Sequence, residues 1–513
     1  MERSTAIVES LYEKYKNDET IINKINLFIE QLPKTIEDTD TNMQIKKLRK
    51  DKLTDDTDKF INGFMNQKDV HYFYIGNTNS FIKYDNNHYT ICKEDDLQYH
   101  ILTSLSKFKQ LSSWKHKIKI HILKLIKEKP VFRSIPDSFT IQFVLGKFMA
   151  IFEHKDSIKY FLTILGDNIL KKSDGIIHFI DSSCKILLKE IAHNCNIYFE
   201  TIRTPTDSFK FKYHDHDYKQ CRLIDIDHHT KINELTLELS KNNYLIDVIC
   251  VAIHYSNRFT NSDNYMSNFC DNNRLIHRVF YLKDNSQQEI IDQFIENNFR
   301  KLERKTKTSI EWKTMLFLWK QYLHFNKLPN IIFHGNLKEA LINKLNYDES
   351  TDCFYKLSNK YFGFLESFFR FWRETITTDN DQEYELKEIT QIFKKYSKTS
   401  KTRATSTNIQ KILNYYYPNT EISDENNILN ISCSKWNKNS EIEIFLAFFK
   451  SQMLTKDTEY QVSFYDVYNE YCSMCRKNSD FIASKKYFEK YIIDHIPEHH
   501  ISDDCFILST WWK

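Results

Sequence analysis

Apolar residues recur at three- and four-residue spacing through IVESLYEKY and ETIINKINLFIEQL, so residues 1–66 are predicted to form a helical N-terminal segment, with the polar stretch TIEDTDTNMQ separating these helices from KKLRKDKL. The period then changes. HYFYI (71–75), FIKYD (81–85) and HYTIC (88–92) are short, aromatic and β-branched, and GNTNS and NN part them, which predicts a small antiparallel meander. Helical spacing returns in EDDLQYHILTSLSKF, whose first-turn acids suit the positive end of the helix dipole. SSWKHKIKIHILKLIKEKP follows, with Ile118, Ile122, Leu125 and Ile126 on one stripe.

Beyond Pro136 the pattern predicts helices over SFTIQFVLGKFMAIF and KDSIKYFLTILGDNIL. GIIHFI reads as a buried strand and SCKILLKEIAHNC as the helix after it, the best sign of a central α/β layer. Residues 301–375 are predicted helical, with Trp312, Trp319 and Trp372. KKYSKTSKTRATST (394–407) is polar and basic and reads as a linker. After it, two amphipathic helices, VSFYDVYNEYCSMC and SKKYFEKYII, lead to a final strand in CFILSTWWK. A helix pair with basic residues in its turn and a terminal β-element follows winged-helix logic. The expected fold class is α+β, predominantly helical. The expected domains are 1–66, 67–165 (meander plus helices, including the basic one), 166–300 (α/β), 301–393 (helical) and 408–513 (winged-helix-like).

Composition narrows the function classes. The 513 residues hold only 7 Gly and 7 Pro, which excludes long flexible linkers and any Gly-rich phosphate cradle. Neither the P-loop spacing nor a G-x-S-x-G elbow occurs, so no catalytic residue is assigned and no cofactor is expected. Net charge is only +3, too small to name a partner, and the lysine-rich composition discounts every basic cluster. Eleven scattered cysteines and a charged start suggest free thiols in a reducing, intracellular setting, and no apolar run is long enough to span a membrane.

Against that background the stretch 107–133 still stands out, with nine Lys or Arg against the single acid Glu128. Lys115, Lys117, Lys119, Lys124 and Lys127 are candidate nucleic-acid contacts, because each phosphate they neutralise would release a counterion. Arg476 and Lys477, assigned to the turn of the C-terminal module, and Lys485, Lys486 and Lys490 on its second helix form a second candidate surface, with Ser484 as helix cap. A solvated helix face and a protein-binding winged helix are the competing readings. Two metal sets were weighed: Cys472 and Cys475 with His495 and His499, and His214, Asp215, His216, Asp217, Asp227, His228 and His229. In both, ordinary helix thiols or a polar loop explain the residues as well, and no metal site is assigned.

The stretches FIKYDNNHYTICKEDDLQYHIL, WKHKIKIHILKLIKEKPVFRSIPDSFTIQ, KYFLTILGDNILKK, FKFKYHDHDYKQCRL, VAIHYSNRF and SKKYFEKYI together resemble an uncharacterised protein family of giant nucleocytoplasmic large DNA viruses, from about residue 67 onward. Residues 71–105 and 462–513 are also similar to the non-ATPase parts of phage- and poxvirus-type primase–helicases, without their phosphate loop. These resemblances imply a non-catalytic viral accessory protein that binds DNA or RNA during replication or gene expression. They place it in the host cytoplasm, the viral factory or the virion. The alternatives are a scaffold of a viral complex, including transcription or translation machinery, and a divergent metal-dependent nuclease.

Overall fold

The computed structural model describes residues 2–172, 175–200, 204–301, 309–359, 361–397, 404–455, 461–478 and 481–513. Among these are twenty-one α-helices and several small sheets, a predominantly helical α+β architecture. The chain partitions into two compact units, one of residues 1–287 with 323–333, the other of residues 288–322 with 334–513. No described helix is long and apolar enough to cross a membrane. All eleven cysteines are free thiols.

The first unit begins with helix Glu2–Lys14 and a single helix Glu19–Met65. The polar stretch 35–44 does not interrupt that helix, contrary to expectation. Its threonines satisfy themselves locally: the Thr35 and Thr39 hydroxyls donate to the carbonyls four residues back at 2.9 and 2.6 Å, and Gln44 donates to Asp40. Strands His71–Ile75, Ser80–Tyr84 and Tyr89–Cys92 then form the expected antiparallel meander. Period-two alternation gives it two buried faces. Tyr72 and Phe81 pack with Phe64, Leu97, Ile101, Ile118, Ile122 and Ile126, whereas Ile75, Ile82, Tyr84 and Tyr89 pack with Ile246, Ile249, Cys250 and Ile253.

Two helices, Lys155–Ile169 and Leu245–Phe259, run through the core of this unit. Both are buried over most of their length, since apolar residues recur on more than one face of each. They meet at Gly166, where an added Cβ would lie 2.2 Å from the Ala252 carbonyl oxygen and 2.7 Å from Ser256 Cβ. Asp167 accepts hydrogen bonds from the Ser256 hydroxyl (2.6 Å) and the Ser262 N–H (2.7 Å). Asp247 accepts from the Tyr89 N–H (2.7 Å) and pairs with His88 Nδ1 (2.7 Å), tying the meander to the second helix. Burial, against these hydrogen bonds, pushes both carboxyls up to about 6. Strands Phe209–Lys210, Ile177–Phe179 and Cys221–Leu223 form a small parallel sheet in that spatial order.

Residues 301–375, divided between the two units, are not wholly helical. Ser309–Glu311, Cys353–Tyr355 and Asn346–Asp348 form an antiparallel sheet around fully buried Phe354. Three-residue strands are too short to display a period, which is why the sequence pattern hides them. Ile376–Glu385 pairs with Asn427–Cys433, and Phe364, Phe368 and Phe371 pack on Phe393. Of the expected linker 394–407, helix Leu386–Tyr396 covers the start and helix Ser406–Tyr416 the end, and 398–403 lies outside the described residues. Lys438 is buried at 1% side-chain exposure, 2.8 Å from Glu388, with the Tyr487 ring 3.6 Å from its ammonium. Burial pulls the Lys438 ammonium below its ordinary range and pushes the Glu388 carboxyl above its own, the pair opposing both.

Two outcomes follow from the first unit. Gly166→Ala drives a methyl group into backbone and should cost about 2–3 kcal/mol or more, read by urea unfolding; a loss under about 0.5 kcal/mol would mean the helices part freely. His178, buried in the parallel sheet, is pulled down to about 3 by burial, with Asp263 opposing and Arg222 assisting. Its folded form stays neutral while the unfolded chain protonates below about 6.5. The stability linked to it is therefore complete above that value and lost as pH falls towards 3, by at most about 1.4 kcal/mol per pH unit. His178→Asn should flatten the fall in unfolding free energy between pH 7 and 5 relative to the parent chain.

Candidate nucleic-acid interface

Helix Lys115–Lys127 is positioned by its apolar stripe. Ile118, Ile122, Leu123 and Ile126 are buried against the meander and helix Glu94–Ser106, which turns His116, Lys117, Ile120, His121, Lys124 and Lys127 to solvent. The spacing 117, 121, 124 keeps Lys117, His121 and Lys124 in one column. Lys107, Lys109, Lys129 and Arg133 are exposed just outside the helix.

The five candidate lysines of this helix do not share one surface. Lys115 and Lys119 lie on the flank and are half-buried, and Lys119 donates to Gln98 Oε1 at 3.0 Å. Lys117 sits over the Trp114 ring at 4.6 Å, and Lys127 over Tyr74 and Phe81 at 5.6 and 5.8 Å. Aromatic faces hold these stems without neutralising the charge, since a ring supplies a quadrupole and no counter-ion. Among the described residues, none of Lys107, Lys109, Lys117, Lys124 and Lys127 forms an ion pair with a carboxylate. The helix ends with Lys124 and Lys127 in its last turn, where the dipole favours cations. Sequence reasoning missed His116 and His121, although helical spacing from Lys117 and Lys124 was enough to place them.

The C-terminal surface is built differently. Arg476 and Lys477 do not occupy a turn. Helix Phe464–Asn478 continues through both, with Arg476 exposed and the Lys477 side chain outside the described residues. Ser484 caps helix Lys485–His495 as expected, accepting from the Tyr487 N–H. Each lysine on that helix meets an acid: Lys485 with Glu489 (3.5 Å), Lys486 with Glu425, and Lys490 with Glu383 (3.0 Å). The predicted final strand shrinks to Phe506–Ile507, paired with Val462–Ser463, because Ser509–Trp511 turns into a 3-10 segment and Trp512 is buried.

Neither weighed metal set converges. Asp217 caps a short turn through the Lys219 N–H, Asp227 accepts the Glu153 N–H, and His214 and His216 sit ring to ring 6.2 Å apart. Cys475 donates to Glu441, whereas His495 stacks on Tyr491 and contacts its carbonyl through Nδ1. Among the described residues no group of three or more His, Cys, Asp or Glu is arranged to hold a metal ion.

No family model, no curated protein and no solved structure matches this chain. The geometry therefore carries the functional reading. Because the tail lysines are already paired, charge reversal at Lys486 and Lys490 should change the slope of log affinity against log salt by less than about 1, measured with a labelled oligonucleotide.

Proposed function

We propose that this chain is a non-catalytic nucleic-acid-binding protein whose contact surface is the solvent face of helix Lys115–Lys127. The observation that carries this reading is that Lys117, Lys124 and Lys127 are exposed and free of carboxylate partners, whereas the tail lysines each have one. Positive charge that is not internally neutralised is what a phosphate backbone exchanges for its condensed counterions. Lys107, Lys109 and Lys129 extend the same cationic stretch of chain.

The C-terminal elements run helix Lys438–Thr455, strand Val462–Ser463, helices Phe464–Asn478 and Lys485–His495, and the Ile501–Ile507 bridge closing on Phe506–Ile507. That order supports a winged-helix-like module. Its paired lysines favour protein contact over groove entry. We propose that such a factor works in the viral factory or host cytoplasm, in replication or gene expression, a reading that rests on the resemblance of its sequence to the giant-virus family. A scaffold of a viral complex is the second reading, and Leu27, Phe28, Leu32, Ile36 and Met43, exposed along helix Glu19–Met65, favour it.

The test is fluorescence anisotropy with labelled DNA and RNA across a salt series. Lys117→Glu/Lys124→Glu/Lys127→Glu should weaken binding on all sequences and make the salt slope shallower by about 2–3. An unchanged slope in this variant would leave the helix a solvated face and favour the scaffold.

A further inference from the structure

A cleft of about 480 Å³ opens in the first unit at the carboxyl ends of the parallel strands. Ile180 to Ser182 follow strand Ile177–Phe179, Phe211 follows Phe209–Lys210, and Ile224 to Ile226 follow Cys221–Leu223, so the loops after all three strands line it. The chain leaves the middle strand for helix Lys185–Phe199 and the strand on one side, then crosses to the strand on the other. A crevice beyond the strand ends, where connections diverge, is where open parallel sheets hold ligands. The volume suits a small organic molecule.

The lining sorts into three chemistries. Leu223 and Ile224 are buried and apolar. Phe211, half-buried, and Phe325, 86% exposed, offer aromatic faces, and the Lys185 ammonium sits 5.2 Å from the Phe211 ring. Asp181 is an acceptor on the lining that, among the described residues, no Lys or Arg side chain pairs; it lies 3.6 Å from His229 Nδ1 and takes the Ser183 N–H at 2.8 Å. Burial works against its ionisation, but the Ser183 hydrogen bonds and His229 outweigh burial and hold the carboxyl below its usual range. Asp225 is already spent on Arg278, which grips it through Nε and Nη2 at 2.8 Å each. Arg278 also donates to the Lys327 carbonyl at 2.6 Å, fixing the rim of the cleft.

At that rim Lys327 holds φ +50, a left-handed conformation that residues with a Cβ rarely adopt. Its ammonium is 58% exposed and lies 3.7 Å from Asp227, a loose pair that a dianion can outcompete. Because Asp181 already caps the turn into helix Lys185–Phe199, an anionic group has no place at that helix start and belongs on the Lys327 and His229 side. Aromatic faces, one carboxylate acceptor, one ammonium and one imidazole around one cleft describe a planar ring, a hydroxylated middle and an anionic end.

We propose that this cleft binds a nucleoside monophosphate. The base lies among Phe211 and Phe325, the sugar hydroxyls donate to Asp181, and the phosphate meets Lys327 and His229. The site is separate from the basic helix and stands whether or not that surface binds nucleic acid.

Isothermal titration of the full chain with the common nucleoside monophosphates, with adenosine and with inorganic phosphate tests it. At least one monophosphate should bind saturably, about tenfold or more tighter than adenosine or phosphate alone. Phe325→Ala, at an exposed position, and Lys327→Asn, which keeps a residue tolerant of positive φ, should each weaken it about tenfold. The triple glutamate variant of the basic helix should bind it as the parent does. No saturable binding by any monophosphate, phosphate binding as tightly as the nucleotide, or unchanged affinity in both cleft variants with unaltered circular dichroism would each overturn the assignment.

Discussion

Everything in the first unit is referred to the crossing of two buried helices at Gly166. With no Cβ there, the helix Lys155–Ile169 comes close enough for its backbone to touch Ala252 and Ser256. At that separation one carboxylate, Asp167, reaches both the Ser256 hydroxyl and the Ser262 N–H. A second, Asp247, leaves the partner helix in the other direction and takes up His88 and the Tyr89 amide. Both acids lie where water is excluded, so each is tolerable only because its oxygens are satisfied. Removing the close approach would strand them.

The same crossing explains why the basic helix has a clean outer face. The meander is held on one side by Asp247 and by Ile249 and Ile253, and its opposite side is left for Ile118, Ile122 and Ile126. With those isoleucines committed inward, helical geometry turns Lys117 and Lys124 to solvent. Lys117 meets the Trp114 ring and Lys127 the Tyr74 ring, and rings leave a cation its charge. In the C-terminal helix the neighbouring elements bring Glu425 and Glu383 instead, and a comparable density of lysine yields a neutralised surface. Positive charge is thus a property of packing as much as of composition.

Much of this was legible in the chain. The short aromatic and β-branched runs HYFYI, FIKYD and HYTIC, parted by turn residues, specified a meander. The stripe Ile118, Ile122 and Ile126 located the basic helix and its buried side. The long helix Glu19–Met65 was misread as broken, since polar residues in a row look like a loop until their hydroxyls are seen bonding back to the preceding turn. The short strands around Phe354 carried no period to read.

The sequence by itself determined the helical character, the meander, the register of buried and exposed positions on the basic helix and the lack of a phosphate loop. These depend on local spacing, which one stretch of chain contains in full. Only the tertiary structure decided which lysines keep their charge, which of the clustered histidines and aspartates are consumed as caps, and that the ends of three parallel strands enclose a cleft with Lys327, more than a hundred residues away, at its rim. Those outcomes depend on which distant groups arrive within a few ångströms of one another, and no window of sequence holds both partners.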